Sequence, residues 1–409
     1  MSNNKIQTLK GFRDFLPEEA LKRQWLKNKL VEIFEIWGYD PMETPTLEPL
    51  EIFKGQVGED EKLFFQFEDQ GGRKVALRYD QTIPTCRAIG QYTNELVMPF
   101  RRYQIQSAFR SEKPQKGRYR EFLQCDADIF GVSSPLADAE VIALSLDIYK
   151  RLGFKKAVIL INDRELLKDL PYEAIVSIDK LKKIGKDGVI SEMVGKGMTQ
   201  EKAQEYFDFV TLLKPNDRIK FILDYLKNYG FDESWYKFEP TLARSFSYSS
   251  GPIWEIEIPD SSGGSVLGGE RYDNIVKSIS NVDVAGTGFA IGFDRTLEAL
   301  EDFGLIPDLK TNPKILVTIF SENLLEKSIK ALKILRESNI NTELYPDQNA
   351  KLEKQLKYAD KKGIPYVVII GQDEIDKNVV TLKNLQTKEQ RQVTINELCE
   401  LLQESKPTS

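Results

Sequence analysis

Apolar positions recur at helical spacing over residues 18–37, where Leu21, Trp25, Leu30, Ile33, Phe34 and Trp37 fall on one stripe. That spacing predicts an amphipathic helix opening after Pro17 and closed by Gly38. Residues 38–49, GYDPMETPTLEP, then read as a short extended segment punctuated by proline. Alternating runs at 63–68 and 74–78 predict two strands joined through Gly71 and Gly72, with a helix from about Ile83 to Tyr92 behind them. A longer alternating pair follows. Tyr103, Ile105, Ser107 and Phe109 mark its first strand, and Phe122, Gln124, Asp126, Asp128 and Phe130 its second. Pro114 and Gly117 punctuate the charged loop between them, so the pair predicts an antiparallel hairpin with a long basic tip.

Beyond the hairpin, Ala139, Val141, Ile142, Leu144 and Ile148 predict a helix over Pro135–Arg151, and residues 156–162 a buried strand. Residues 164–235 lose all alternation and are rich in lysine, aspartate and helix formers. They read as a helical insertion or as a plain helical spacer. A strand pattern returns at 239–258, residues 265–275 read SVLGGERYDNI, and a glycine-lined strand over 286–300 turns into a helix at Asp294. A linker with two prolines occupies 303–313. Strands at 314–320, 341–345 and 365–370 then alternate with helices at 322–338 and 350–363, before two more strands near 378–383 and 391–394 and a short helix. Such alternation predicts a separate α/β unit with a partly parallel sheet. The resulting division is 1–163 and 236–305 as two parts of one core, 164–235 between them, and 314–409 apart.

Composition narrows the chemistry. A length of 409 residues fits two or three domains, and 41% hydrophobic with 29% charged residues is ordinary for a water-soluble protein. No apolar run is long enough to cross a membrane, and the N-terminal stretch has no secretory pattern, so a cytoplasmic protein is expected. The three cysteines, Cys86, Cys125 and Cys399, are far apart, and the chain has no histidine. Zinc sites of the Cys/His kind, Ser-His-Asp triads and imidazole bases are therefore excluded. Any reaction here must rest on positioning and electrostatics.

Charge then singles out the hairpin. The net charge is -6, yet Arg101, Arg102, Arg110, Lys113, Lys116, Arg118 and Arg120 fall within twenty residues against Glu112. This predicts a local positive field that draws an anion, or else a solvated charged turn. Period two places Gln124, Asp126 and Asp128 on one sheet face, which is costly unless something pairs with them. Gly286, Gly288 and Gly292 offer a surface on which a flat ring or a phosphate could lie. Asp80 is a helix cap or a ligand.

FRSEKPQKGRYREFLQCDADIFG, residues 109–131, resembles motif 2 of the class II aminoacyl-tRNA synthetases, in its histidyl form. The segment around Pro45 resembles motif 1, which implies a homodimer interface, and 286–300 resembles motif 3. Residues 314–409 resemble the C-terminal anticodon-binding domain of that class. The resemblance implies an α+β catalytic domain on a mostly antiparallel sheet. The implied activity is the ATP-dependent joining of histidine to the 3′ end of tRNA-His, with Mg²⁺. It also implies roles. Arg110 grips the α-phosphate and the substrate carboxylate, Glu112 reads adenine and Phe122 stacks beneath it. Arg118 and Arg295 hold the β- and γ-phosphates, and Arg244 faces the α-phosphate from the other side. Asp80, Thr82, Gln124, Asp128 and Tyr248 join Arg110 and Arg244 around histidine, with Asp128 accepting from the ring. Arg110, Arg244 and Arg295 carry catalysis, and Lys113, Gln115 and Lys116 are candidates to meet the tRNA acceptor end.

Two departures stand out. The family's Arg-Gly-Leu-Asp-Tyr-Tyr reads here as Arg244, Ser245, Phe246, Ser247, Tyr248 and Ser249, so serine replaces the second tyrosine. Its Gly-Gly-Arg-Tyr-Asp reads here as Gly268, Gly269, Glu270, Arg271, Tyr272 and Asp273, with an added glutamate. A rival implication is a histidine-binding regulatory subunit of ATP phosphoribosyltransferase. Such a subunit would be expected to lose the phosphate-binding arginines and the C-terminal domain, and this sequence has both.

Overall fold

The computed structural model describes residues 6–55, 62–114, 118–244, 248–261, 264–309 and 311–404. In chain order, helix α1 (Pro17–Ile36) leads into β1 (Asp40–Pro41), β2 (Leu47–Pro49), β3 (Gln66–Glu68), β4 (Lys74–Leu77) and helix α2 (Thr82–Gln91). The long strands β5 (Phe100–Phe109) and β6 (Glu121–Phe130) come next, then α3 (Pro135–Arg151) and β7 (Val158–Asp163). Helices α4 (Tyr172–Ile178), α5 (Leu181–Gly195), α6 (Gln200–Thr211) and α7 (Asp217–Tyr229) occupy the stretch without alternation. Strands β8 (Tyr236–Phe238), β9 (Pro252–Glu257) and β10 (Ser265–Arg271), helix α8 (Ile275–Ser280), β11 (Gly286–Gly292) and α9 (Phe293–Asp302) follow. The last stretch holds β12 (Ile315–Val317), α10 (Leu325–Glu337), β13 (Thr342–Leu344), α11 (Leu352–Lys362), β14 (Tyr366–Ile369), α12 (Gln372–Asp376), β15 (Val380–Asn384), β16 (Gln390–Val393) and α13 (Ile395–Glu404). These elements group into two compact units, residues 1–14 with 25–306 and residues 15–24 with 307–409.

The first unit is built on an eight-stranded sheet in the order β1-β5-β6-β11-β10-β9-β7-β8. Its pairings are antiparallel except for β1 with β5 and β7 with β8. The hairpin register sets Arg102 opposite Asp128, Gln104 opposite Asp126 and Gln106 opposite Gln124. On the far side of β6, Asp128, Asp126 and Gln124 stand opposite Gly288, Ala290 and Gly292. The pleat therefore gathers every polar residue of the two long strands' centres onto one face. The alternate positions, Tyr103, Cys125, Ala127, Ile129, Phe289 and Ile291, enter the main core on the other face. There they meet Leu30, Ile33 and Phe34 of α1 and most of α3. Helix α3 starts cleanly because Pro135 sits in its first turn and the Ser134 hydroxyl accepts from the Leu136 amide.

The strand expected over 239–258 is confined to β9. Pro240 and Gly251 break the pattern, and the Asn162 side chain donates to the Pro240 and Leu242 carbonyls that a neighbouring strand would otherwise take. Leu242 and Ala243 are buried from an irregular backbone instead.

In the second unit a five-stranded sheet runs β13-β12-β14-β15-β16, parallel across its first three strands and antiparallel across the rest. Helix α12 was not legible from periodicity: it has five residues, and its start is fixed by the Gly371 amide donating to Glu374.

Candidate active site

The polar face of β5, β6 and β11 is the floor of a cleft of about 460 Å³. Arg102 is fully buried there, with its guanidinium 2.5 Å from the Asp128 carboxylate, an ion pair whose atoms are not aligned as a hydrogen bond. The other Asp128 oxygen accepts from the Tyr272 hydroxyl. Burial raises the pKa of Asp128 in spite of Arg102. A Cβ on Gly288 would stand 1.8 Å from that carboxylate, so glycine is required for Asp128 to lie across the sheet. Beside it, Gln124 donates to Asp126 at 3.1 Å while its own side-chain oxygen makes no hydrogen bond among the described residues. The sheet continues into the α2 end of the cleft, where Asp80 accepts from the Ile83 amide at 3.2 Å and Thr82 opens the helix. Both line the cleft, so Asp80 is at once a cap and a wall residue. Burial raises its pKa, against the Ile83 amide and the Arg110 charge.

Cations line the rim. Arg110 leaves β5 and lies over the rings of Tyr79 at 4.2 Å and Phe122 at 5.0 Å, which fixes the plane of its guanidinium. Arg118 reaches Glu112 at 3.4 Å in a half-exposed pair. Arg295, in the first turn of α9, donates to the Ser265 carbonyl at 2.9 Å. Burial and the like charge of Arg118 hold Arg295 below its ordinary value. Two guanidiniums kept near one another in a partly buried cleft favour a polyanion between them.

The remaining wall is a charged triangle. Arg244 adopts a left-handed backbone at φ +43 and sits 3.4 Å from Glu270 and 3.5 Å from Glu255. Burial works against its charge, but the two carboxylates outweigh burial and hold the guanidinium above its ordinary value. Gly268 makes room for it, since a Cβ there would meet the guanidinium at 2.0 Å. Glu270, from the added position in the glycine tract, also accepts from the Ser249 hydroxyl. Tyr248 lines the cleft nearby.

This geometry has known counterparts. A family model for histidyl-tRNA synthetase matches residues 11–187, and one for an anticodon binding domain matches 314–405. A histidine–tRNA ligase of Wolinella succinogenes is 38% identical, across 97% of this chain and 98% of its own length. The chain belongs to the histidyl-tRNA synthetase family. A second histidine–tRNA ligase, from Cytophaga hutchinsonii, is 35% identical over 95% of this chain and 97% of its own. The crystal structure of histidyl-tRNA synthetase from a Nostoc species superposes with a TM-score of 0.84 at 27% identity, covering 98% of this chain and 99% of that one. The fold is accordingly that of a class II synthetase, an α+β domain on a mostly antiparallel sheet with a C-terminal α/β domain.

The cleft brings together Asp80, Thr82, Arg110, Glu112, Arg118, Phe122, Gln124, Asp128, Arg244, Tyr248 and Arg295. Lys113 is exposed and does not line it. Gln115, Lys116 and Ser245 to Ser247 lie outside the described residues. The positive field expected of the hairpin is redistributed. Arg102 is consumed by Asp128, Arg101 turns to Glu140 at 2.9 Å, and Arg120 donates to backbone carbonyls of Glu112 and Lys10. Among the described residues, Arg110 and Arg118 are the hairpin cations that face the cleft. The glycine surface is also partly spoken for: Gly286 lies under Tyr272 and Gly288 under Asp128, so these two accommodate the chain's own side chains, while Gly292 lines the cleft.

Sequence reasoning missed several wall residues. Tyr79, Tyr119, Glu255, Glu270, Tyr272 and Asp294 all face the cleft. The N-terminal segment contributes as well, because Arg13 pairs with Asp294 at 2.8 Å and lies over the Tyr119 ring at 3.3 Å. The alternation of Arg102, Gln104 and Gln106 against Gln124, Asp126 and Asp128 could have disclosed the buried pair. No local pattern marks Arg13, whose partner is 281 residues away.

Proposed function

We propose that the chain is a histidine–tRNA ligase, using ATP to form histidyl-adenylate and then esterifying the 3′-terminal adenosine of tRNA-His. The observation that carries this reading is one cleft lined by Arg110, Arg118 and Arg295, with Arg118 and Arg295 near enough for their charges to repel, and by Asp80, Asp128 and Gln124. The cations suit a nucleoside triphosphate. Arg118 and Arg295 hold its β- and γ-phosphates, Phe122 stacks under adenine and Glu112 reads the adenine amino group. Asp80, Thr82 and Gln124 hold the ammonium of the amino acid, with Asp128 and Tyr248 toward its side chain. Arg110 and Arg244 then flank the reacting centre.

The carboxylate oxygen of histidine attacks the α-phosphorus as the bond to pyrophosphate breaks. Negative charge grows on the α-phosphate oxygens, and planar guanidiniums fixed beforehand stabilise it without reorganising. A terminal ribose hydroxyl of tRNA next attacks the activated carbonyl carbon, and AMP leaves. When bound with ATP, Mg²⁺ would neutralise part of the phosphate charge that Arg118 and Arg295 also meet.

The remaining assignments belong to the same reading. Residues 314–409 bind the anticodon and Lys113, Gln115 and Lys116 approach the acceptor end. Residues 164–235 are an insertion between the halves of the catalytic core. Two chains pair through the segment around Pro45, in the cytoplasm. No helix among the described residues is long and apolar enough to cross a membrane. The test is charging of tRNA-His with radiolabelled histidine by the purified chain. Acid-precipitable product that requires ATP and Mg²⁺ supports the reading; no product with any histidine acceptor tRNA refutes it.

A further inference from the structure

Arg118 and Arg295 line the same cleft from different elements. Arg118 stands in the loop between β5 and β6, and Arg295 in the first turn of α9. Burial and then the charge of Arg118 hold Arg295 below its ordinary value, so the two cations are close enough to repel. Their own contacts do not oppose that repulsion. Arg295 donates to the Ser265 carbonyl, and Arg118 reaches only Glu112 of its own loop, at 3.4 Å.

A third segment ties the loop to α9. Residues 9–13, ahead of α1, cross the base of the hairpin tip. The Gly11 carbonyl accepts from the Arg120 amide at 2.9 Å, and the Lys10 carbonyl from the Arg120 guanidinium at 3.4 Å. Gly11 has φ +91, and a Cβ there would stand 2.8 Å from the side chains of both Arg120 and Pro114, so only glycine lets the strap come this close. The Phe12 ring packs edge-on against Phe65 at 6.1 Å. The strap ends in Arg13, whose guanidinium donates to Asp294 at 2.8 Å and lies 3.3 Å over the Tyr119 ring. The two side chains of that ion pair are 24% and 9% exposed, which shields it from solvent. Tyr119 follows Arg118 in the chain, and Asp294 precedes Arg295. One side chain therefore grips the immediate neighbour of each arginine.

We propose that Arg13 is a positioning residue for polyphosphate binding, a clamp that holds the hairpin tip against α9 at the spacing its two repelling arginines need to share one polyanion. The identity of that polyanion as ATP rests on the function proposed above; the clamp itself acts on any pyrophosphate group. Without it, the bound polyanion has to supply the free energy that brings the two cations together. Gln124 and Asp128 are held instead by the register of β6 with β5 and β11, so loss of Arg13 should spare histidine.

Calorimetric titration of the full-length chain with inorganic pyrophosphate and Mg²⁺ tests the clamp without reference to the amino acid. The unsubstituted protein is expected to bind, and Arg13→Ala to bind about 10-fold more weakly, the range for losing one charge-assisted hydrogen bond. ATP–pyrophosphate exchange adds a readout that a merely structural role would not give: KM for ATP rises about 10-fold in Arg13→Ala while KM for histidine is unchanged. Pyrophosphate binding without histidine-dependent exchange in the unsubstituted chain would remove the proposed reaction and leave the clamp standing. Pyrophosphate affinity unaltered by Arg13→Ala, or no binding by the unsubstituted chain, would overturn the clamp. Equal rises in KM for ATP and histidine would overturn it too, by showing a general loosening of the site. Should Arg13→Ala fail to fold, Tyr119→Leu, which removes the ring under the guanidinium, decides: unchanged pyrophosphate affinity contradicts the proposal.

Discussion

The two largest sheets of this protein treat polarity in opposite ways. The first unit buries Arg102, Arg271, Asp80, Asp126, Asp128, Asp138 and Glu270 in or beside its large sheet. Among the described residues beyond 307 the buried polar side chains are Thr318, Ser328 and Gln355, all neutral. Each of those is satisfied locally: Thr318 donates to the Val368 carbonyl, Ser328 to the Thr318 carbonyl, and Gln355 clasps Ile319 through both its amide groups. The contrast separates structure from chemistry. Neutral polar groups that close their own hydrogen bonds secure an irregular backbone at low cost. Buried ions cost more than a hydrophobic replacement would, so their concentration on one sheet face marks the place where something other than stability is maintained.

Changing the cleft should break this contrast most sharply at the rim. Arg295→Ala is expected to slow adenylate formation by about 10²- to 10³-fold in single-turnover assays, as for loss of a transition-state donor. Its melting temperature should change little, because Arg295 makes one backbone hydrogen bond and no ion pair among the described residues. On the floor the order reverses. Asp128→Asn leaves Arg102 buried against a neutral group and should cost about 3 kcal/mol in chemical denaturation. In the second unit, Gln355→Ala strands the Ile319 amide and carbonyl and should cost about 2 kcal/mol, while adenylate formation keeps its rate.

The smallest effect concerns pH. Burial, opposed by Arg102 and reinforced by Asp128, raises the Asp126 pKa well above the ordinary carboxylate value. A carboxyl whose folded pKa exceeds its unfolded one holds its proton more tightly when folded. Its contribution to stability is complete below the ordinary range near ~4 and is lost as pH rises through the raised folded value. Stability should therefore decline above the acid range with a slope of at most about 1.4 kcal/mol per pH unit from this group. Asp126→Asn should flatten that decline in urea titrations at several pH values. An unchanged slope would place the titration elsewhere.

Much of this was legible in the sequence. The stripe on α1 and the hairpin follow from periodicity, because in each one face packs against the main core, while α3 and the strands of the C-terminal unit are buried on more than one face and show instead as apolar runs of helical or strand length. Motif 2 also disclosed Arg110, Glu112, Arg118, Phe122, Gln124 and Asp128 as neighbours, since they lie on one hairpin. What periodicity could not show is pairing across the sheet. Arg102 reads as one more cation in a basic cluster until register sets it opposite Asp128. Gly286 and Gly288 read as a ligand surface until Tyr272 and Asp128 are found above them. Arg271, fully buried between Asp138 and Asp273, has a partner 133 residues away and gave no local signal. Glu270 was visible as an irregularity in a glycine tract, but its meaning depended on Arg244 and Ser249 meeting it from a separate segment.

The central claim is that this charged cleft selects histidine and activates it with ATP. The most direct measurement is ATP–pyrophosphate exchange by the purified chain with each of the twenty amino acids in turn. The account predicts exchange with histidine alone above background. Exchange driven by another amino acid, with histidine inactive, would contradict it.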